Sequence, residues 1–235
     1  MESKLDKFTS EYLIIRILMR VQIMMINVVP CDDQPISATF FGEGHWLSDF
    51  VTPEEPDILM LYRSLTANAT NINDKIDACW SWVANEVKYK NFISATINIE
   101  GVTSVQKDFW QTPAVCSKTK WGNCANKAFL LTSLLRNAMP SDKVHCVLGN
   151  LYNGHGAGHA WVEAELPGGS YIVEATRNDV PMILANTATR YEPVHYFNDK
   201  SVYAVPGRTV MTPFQACYSS WLAYYLDKAY IGEGD

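Results

Sequence analysis

The spacing of apolar residues changes at Met139-Pro140, and that change limits the fold more than any other feature of the chain. Before it, apolar side chains recur at three- and four-residue intervals, the period of a helix that buries one face. Ile76, Cys79, Trp80 and Val83 form one such series; Ala128, Leu131, Leu134, Leu135 and Ala138 form another. After it come "KVHCVLGNLY", "HAWVEAEL", "SYIVEAT" and "SVYAVPG", which are rich in β-branched and aromatic residues and of strand length. Pro167-Gly168-Gly169 between the middle two predicts a hairpin turn. Helices followed by an antiparallel sheet make an α+β fold.

Local signals place the boundaries. Thr52-Pro53-Glu54-Glu55 has capping-box spacing with Pro in the first turn, and predicts a helix through "DILMLYRSL" to about Asn68. A second helix is expected from about Asn73 to Tyr89, then a short strand at "SATINIE" and a turn at Thr112-Pro113. Residues 12–29 are very apolar but interrupted by Arg16 and Arg20, which share a stripe of a helix with Asn27. Those arginines make a membrane span costly, and no small-residue cleavage site follows as a secretion signal requires. The segment is therefore expected as a helix packed on its own domain, or as a contact for an oligomer or assembly partner. "FQACYSSWLAYYLDKAYIG" reads as one more amphipathic helix. The expected division is an N-terminal helix and extension over 1–50, a core over 51–210 and a C-terminal helix over 211–235.

The net charge of −6, without a run of Lys or Arg, argues against nucleic acid as a partner. Cysteines at 31, 79, 116, 124, 146 and 217 are widely spaced in a chain long enough to fold without staples. They read as free thiols of a reducing, cytoplasmic protein. No C-x2-C pair and no loop of alternating Asp/Asn ligands is present, so neither a metal nor a cofactor is expected.

The chemistry centres on "WGNCANKAFLLTSLL", where Cys124 stands at the start of a helix. Exposed N–H groups and the helix dipole favour an anionic sulfur there, by up to about 1 kcal/mol. A nucleophilic thiol also needs a base, and the base needs an orienting group. His159 enters the strand "HAWVEAEL", and the following strand carries Glu174 in the apolar context "YIVEAT". Adjacent antiparallel strands can set that imidazole beside that carboxylate, giving a helix-borne Cys, a strand-borne His and a strand-borne acid. His155 competes as base but lies among glycines in the loop 153–158, which better suits substrate access. Glu163 and Glu165 alternate along their strand and read as surface residues. The plain alternative for Cys124 is packing, since a buried thiol acts as a small hydrophobe.

The stretches "WGNCANKAFLLTSLLRNA", "HAWVEAEL" and "YIVEAT" together resemble the transglutaminase-like superfamily of papain-type cysteine enzymes. That family has Gly-Asp-Cys opening a helix that ends in Leu-Leu-Arg, then His-Ala-Trp, then Asp-Pro-Thr. "CWSWVANEVKYK" is similar to its lead-in helix, and "DFWQTP" to a stretch of its bacterial cysteine-proteinase branch. The resemblance covers about residues 75–178. It implies a papain/transglutaminase-like core with a cysteine-bearing helix on an antiparallel sheet. Cys124 would be the nucleophile, His159 the base and Glu174 the orienting acid, with Asp179 as the alternative third member. Here Asn123 replaces an Asp, and Glu174 stands one methylene longer than the usual Asp. The backbone N–H of Cys124 would stabilise an oxyanion, aided by a donor among Trp80, Trp82, Trp110 and Gln111, with Trp161 also at the substrate site. The implied activity is cysteine-dependent acyl transfer on a peptide or protein, with hydrolysis of a peptide, isopeptide or amide bond first. A cross-linking transglutaminase and a non-catalytic assembly module on the same fold are the alternatives.

Overall fold

The computed structural model describes residues 25–31, 47–99, 102–106, 110–152, 157–179 and 182–208. The expected C-terminal helix and residues 12–24 of the expected N-terminal one lie outside the described residues. Strand β1 (Met25–Cys31) corrects the end of that N-terminal helix. Ile26, Val28 and Val29 favour extended backbone, and Pro30 cannot continue a helix. β1 pairs antiparallel with β3 (Phe92–Ile99), and β4 (Val102–Gln106) completes a three-stranded sheet. β3 takes in the strand expected at "SATINIE".

Helix α1 (Pro56–Leu65) starts later than the Thr52 signal indicates. Thr52 Oγ1 does donate to Glu55 Oε2 at 3.0 Å, but in a turn ahead of the helix. Pro56 holds Glu55 in extended backbone, so the helix begins only at the proline itself. Helix α2 (Ile72–Glu86) is capped by Asn71, whose side chain accepts from Asp74 N at 3.0 Å. It stops short of Tyr89 because β2 (Lys88–Tyr89) leaves to pair in parallel with β5 (Trp121–Gly122). Thr112-Pro113 opens helix α3 (Pro113–Thr119) rather than a turn. Thr112 accepts from Val115 N as a cap, and proline at the first position loses no hydrogen bond.

Helix α4 (Cys124–Leu135) is buried at every position, polar residues included. Thr132 and Ser133 donate to Ala128 O and Phe129 O one turn back, each at 2.8 Å. Lys127 sends Nζ to Ala84 O at 3.2 Å and Val87 O at 2.8 Å, capping the end of α2 with a cation. Burial pulls this ammonium down to about 8. At its other end Arg136 pairs with Asp199, with Nε to Oδ1 at 2.5 Å.

The large sheet has six antiparallel strands in the order β11-β10-β6-β7-β8-β9. They are β6 (Val144–Leu151), β7 (Ala157–Leu166), β8 (Gly169–Val173), β9 (Met182–Leu184), β10 (Tyr191–Phe197) and β11 (Val202–Ala204). The β7–β8 hairpin turns where Pro167-Gly168-Gly169 predicts it, with φ of +112° at Gly168 and +138° at Gly169. Strands β9 and β10 are absent from the sequence reading. β10 contains Pro193, a poor strand residue, and the sheet accommodates it with a register shift between Pro193 and His195.

Each face of this sheet has its own cluster. Val144, Cys146, Leu148, Ala160, Val162 and Ala164 join the main core under α4, with Phe129, Leu131 and Leu135. Val147, Trp161 and Ile172 form a second cluster on the reverse face, with Tyr191 and Tyr196 against it. A strand's two-residue period separates the sets.

Candidate active site

Asn123 and Asn126 fix the start of α4 as a reciprocal capping box. Asn123 Oδ1 accepts from Asn126 N at 3.1 Å, and Asn126 Oδ1 accepts from Asn123 N at 3.2 Å. Asn123 thus fills the cap position that an Asp would. Cys124 follows as the first helical residue, before the first intrahelical N–H bond. Gly122 packs closely beside it: a Cβ there would lie 3.0 Å from Asn126 Cβ and 3.3 Å from Cys116 Sγ. Cys79, Cys116 and Cys146 are completely buried, whereas Cys124 keeps 7% of its surface exposed. Burial pushes the thiols of Cys79 and Cys116 up to about 12, and raises that of Cys146 well above its ordinary value.

His159 lies opposite Gly149 in the β6–β7 pair, near the connection between those strands. Its Nε2 is 2.9 Å from Glu174 Oε2. Glu174 follows directly on β8 and is 1% exposed. The same Oε2 accepts from Tyr191 Oη at 2.9 Å. Oε1 accepts from Thr176 N at 2.9 Å and Thr176 Oγ1 at 2.6 Å. Burial alone would raise this carboxyl, but the hydrogen bond and charge of His159, with the donors of Thr176, hold it at about 2. Burial likewise works against a charged His159. The side-chain hydrogen bond and charge of Cys124, and those of Glu174, outweigh it and lift the ring to about 10. The imidazole is therefore bonded to the Glu174 carboxylate and subject to the Cys124 thiol, the three groups that the sequence singles out.

Residues 60–174 match the family model of the transglutaminase-like superfamily, a span that runs from α1 to this carboxylate. Residues 60–174 belong to that superfamily. Among solved structures, EGTA-treated LapG of Legionella pneumophila aligns with a TM-score of 0.50 at 16% identity, covering 73% of this chain and 88% of that one. A protein from Cytophaga hutchinsonii described provisionally as a cysteine protease aligns with a TM-score of 0.41 at 21% identity, covering 72% and 56% of the two chains. The likeness to LapG supports the fold alone. Comparison with curated proteins returned no match.

Within this transglutaminase-like core the other candidate residues have varied surroundings. Gln111 is fully buried; its Nε2 donates to Trp121 O at 2.8 Å and its Oε1 accepts from Thr119 Oγ1 at 2.8 Å, bracing β5. Trp110 packs in the core with ring centroids 5.1 Å from Phe129 and 5.8 Å from Phe50. Trp82 is half-buried beneath Lys120, whose Nζ lies 5.8 Å from the ring centroid. Trp161 is stacked on His159, with centroids 6.1 Å apart and planes 24° from parallel. Trp80 donates Nε1 to Glu174 O at 3.0 Å, so it anchors the acid's backbone. Asp179, the alternative third member, is exposed and paired with Arg177. His155 lies outside the described residues.

Sequence reasoning missed several supports of the transglutaminase-like core. Thr176 had a local signal, since a carboxylate often accepts from the N–H two residues on. Tyr191 had none; it arrives from a strand the sequence did not predict. Glu165 is exposed as expected, but Glu163 is not a surface residue. It is half-buried, with Oε1 accepting from Trp161 Nε1 at 3.1 Å and Oε2 from Tyr196 Oη at 3.2 Å. Alternation correctly gave its face, but aromatic rings cover that face. Among the described residues no group of three or more His, Cys, Asp or Glu could hold a metal ion, and no helix is long and apolar enough to cross a membrane.

Proposed function

We propose that this chain is a cysteine-dependent acyl-transfer enzyme that hydrolyses a peptide, isopeptide or amide bond through a thioester. Cys124 is the nucleophile, His159 the base and acid, and Glu174 the group that orients the ring. The observation that carries the reading is the His159–Glu174 hydrogen bond on a carboxylate filled with donors, with the Cys124 thiol acting on the same imidazole. Glu174 occupies Nε2, so Nδ1 is the nitrogen left to exchange a proton with sulfur.

The sulfur attacks the substrate carbonyl, and the oxyanion that forms is stabilised by the Cys124 N–H at the first turn of α4. Nδ1 gives its proton to the leaving nitrogen, the C–N bond breaks and a thioester remains. Nδ1 then takes a proton from water as the water oxygen attacks the thioester; the acid leaves and the thiol is restored. Hydrolysis needs no second substrate site, which favours water over an amine as acceptor.

Competitive alkylation with iodoacetamide tests this, with the modified residues mapped by mass spectrometry. Cys124 in the folded protein should react about tenfold or more faster than Cys79, Cys116 and Cys146. His159→Ala should abolish the advantage, and Cys124→Ala should remove turnover of a fluorogenic peptide library while leaving the Tm nearly unchanged. Labelling of Cys124 no faster than Cys146 would overturn the proposal.

A further inference from the structure

Glu174 raises a physical problem for the proposed enzyme. An acid one methylene longer than Asp has one more rotatable bond to hold still, and a base must be held still to work. All four acceptor positions of its carboxylate are filled, yet only one of the donors is the base. Thr176 fixes Oε1 from the same chain segment. Oε2 is fixed from across the sheet, by a residue of β10 that reaches over β6 to the β7–β8 side.

Trp161 can lie over β6 because residue 149 is Gly. A Cβ at Gly149 would collide with Trp161 Cη2 on one side and Glu192 O on the other. Trp161 fills that space, and the Tyr191 ring meets it edge-to-face at 5.2 Å and lies 6.2 Å from the His159 centroid. Tyr191 thus touches the base, the ring stacked on the base and the acid that orients the base.

We propose that Tyr191 is a positioning residue for the His159–Glu174 pair: its hydroxyl fixes the longer acid at the place where a shorter one would normally stand. This rests on the reading of Cys124 and His159 as the reactive pair. Tyr191 acts through Glu174 and does not itself exchange a proton in the reaction. Lys127, Arg177 and Arg190 are the other charged groups acting on Glu174 or Tyr191, and none of them takes the place of the Tyr191 hydroxyl on Oε2.

Tyr191→Phe removes the hydroxyl and keeps the ring, and Tyr196→Phe, whose hydroxyl goes to Glu163, is the matched control. Two readouts are needed: solvent exchange of the His159 Nε2–H followed by NMR on histidine-labelled protein, and the alkylation rate of Cys124. Tyr191→Phe should speed the exchange and slow alkylation, each by about tenfold, and Tyr196→Phe should change neither. Adding Glu174→Asp to Tyr191→Phe should cost less than Glu174→Asp alone, because the two share one contact. Unchanged exchange in Tyr191→Phe, or equal effects of the two tyrosine variants, would overturn the proposal. Faster exchange with unaltered alkylation would uphold the positioning role and refute the reactive pair.

Discussion

On the face of the sheet beneath α4, Cys146, Leu148, Ala160, Val162 and Ala164 meet an apolar helix and are closed to solvent. On the reverse face, His159, Trp161 and Glu163 alternate with those same strand residues and meet Tyr191 and Tyr196 through rings, hydroxyls and carboxylates. The first face gains stability from area removed from water, which has no preferred direction. The second holds ionisable groups that tolerate burial only while each has its partners. One pair of strands therefore supplies rigidity on one side and orientation on the other. The two carboxylates of the reverse face sharpen the point. Burial raises Glu163, which has only neutral donors, whereas the imidazolium of His159 helps hold Glu174 at about 2.

Substitutions should separate the faces by size of effect. Phe129 is completely buried between Phe50, Trp110 and Phe197. Phe129→Ala should cost about 3–5 kcal/mol of unfolding free energy in urea titrations. A loss below 1 kcal/mol would mean that the helix-covered face is not the main source of stability.

The reverse face should instead reveal itself through pH. Glu174 is held below its ordinary 4.5, so its contribution is complete above that value and is lost as pH falls towards about 2. That loss is on the order of 3 kcal/mol, and Glu174→Gln should remove the dependence. His159 is raised from 6.5, so its contribution is complete below 6.5 and is lost as pH rises through about 10. Unfolding titrations across the pH range check both limbs, and an acid limb that survives in Glu174→Gln would contradict the assignment.

The smallest effect belongs to the strand between the two partners. Gly149→Ala should lower stability by about 1–3 kcal/mol through overpacking, and it should also slow Cys124 alkylation because the new methyl displaces Trp161 from the His159 ring. A stability loss without a change in alkylation would mean that the stacked ring does not steady the base.

The legible parts of the fold were those decided by neighbours in sequence. The α4 start, the β7–β8 hairpin and the His159–Glu174 adjacency follow from local period, turn residues and antiparallel pairing. The illegible parts depend on distant partners. β10 carries a proline that is acceptable only at a register shift, and α1 waits for Pro56 although Thr52 and Glu55 interact as the signal implies. Alternation puts Glu163 on the correct face, but no local pattern reports that a β10 tyrosine covers it. Tyr191 was invisible for the same reason.

Lys127 bears on how far this helix can be treated as a portable part. One turn after Cys124, its ammonium is buried and satisfied by carbonyls that exist only where α2 ends. A transplant of residues 121–135 into another scaffold would arrive with a cation and no receptor for it, and an uncompensated buried charge is among the costliest defects a fold can carry. The stretch bearing the thiol and the helix ahead of it therefore form a single inheritable unit, and redesign of either has to move both.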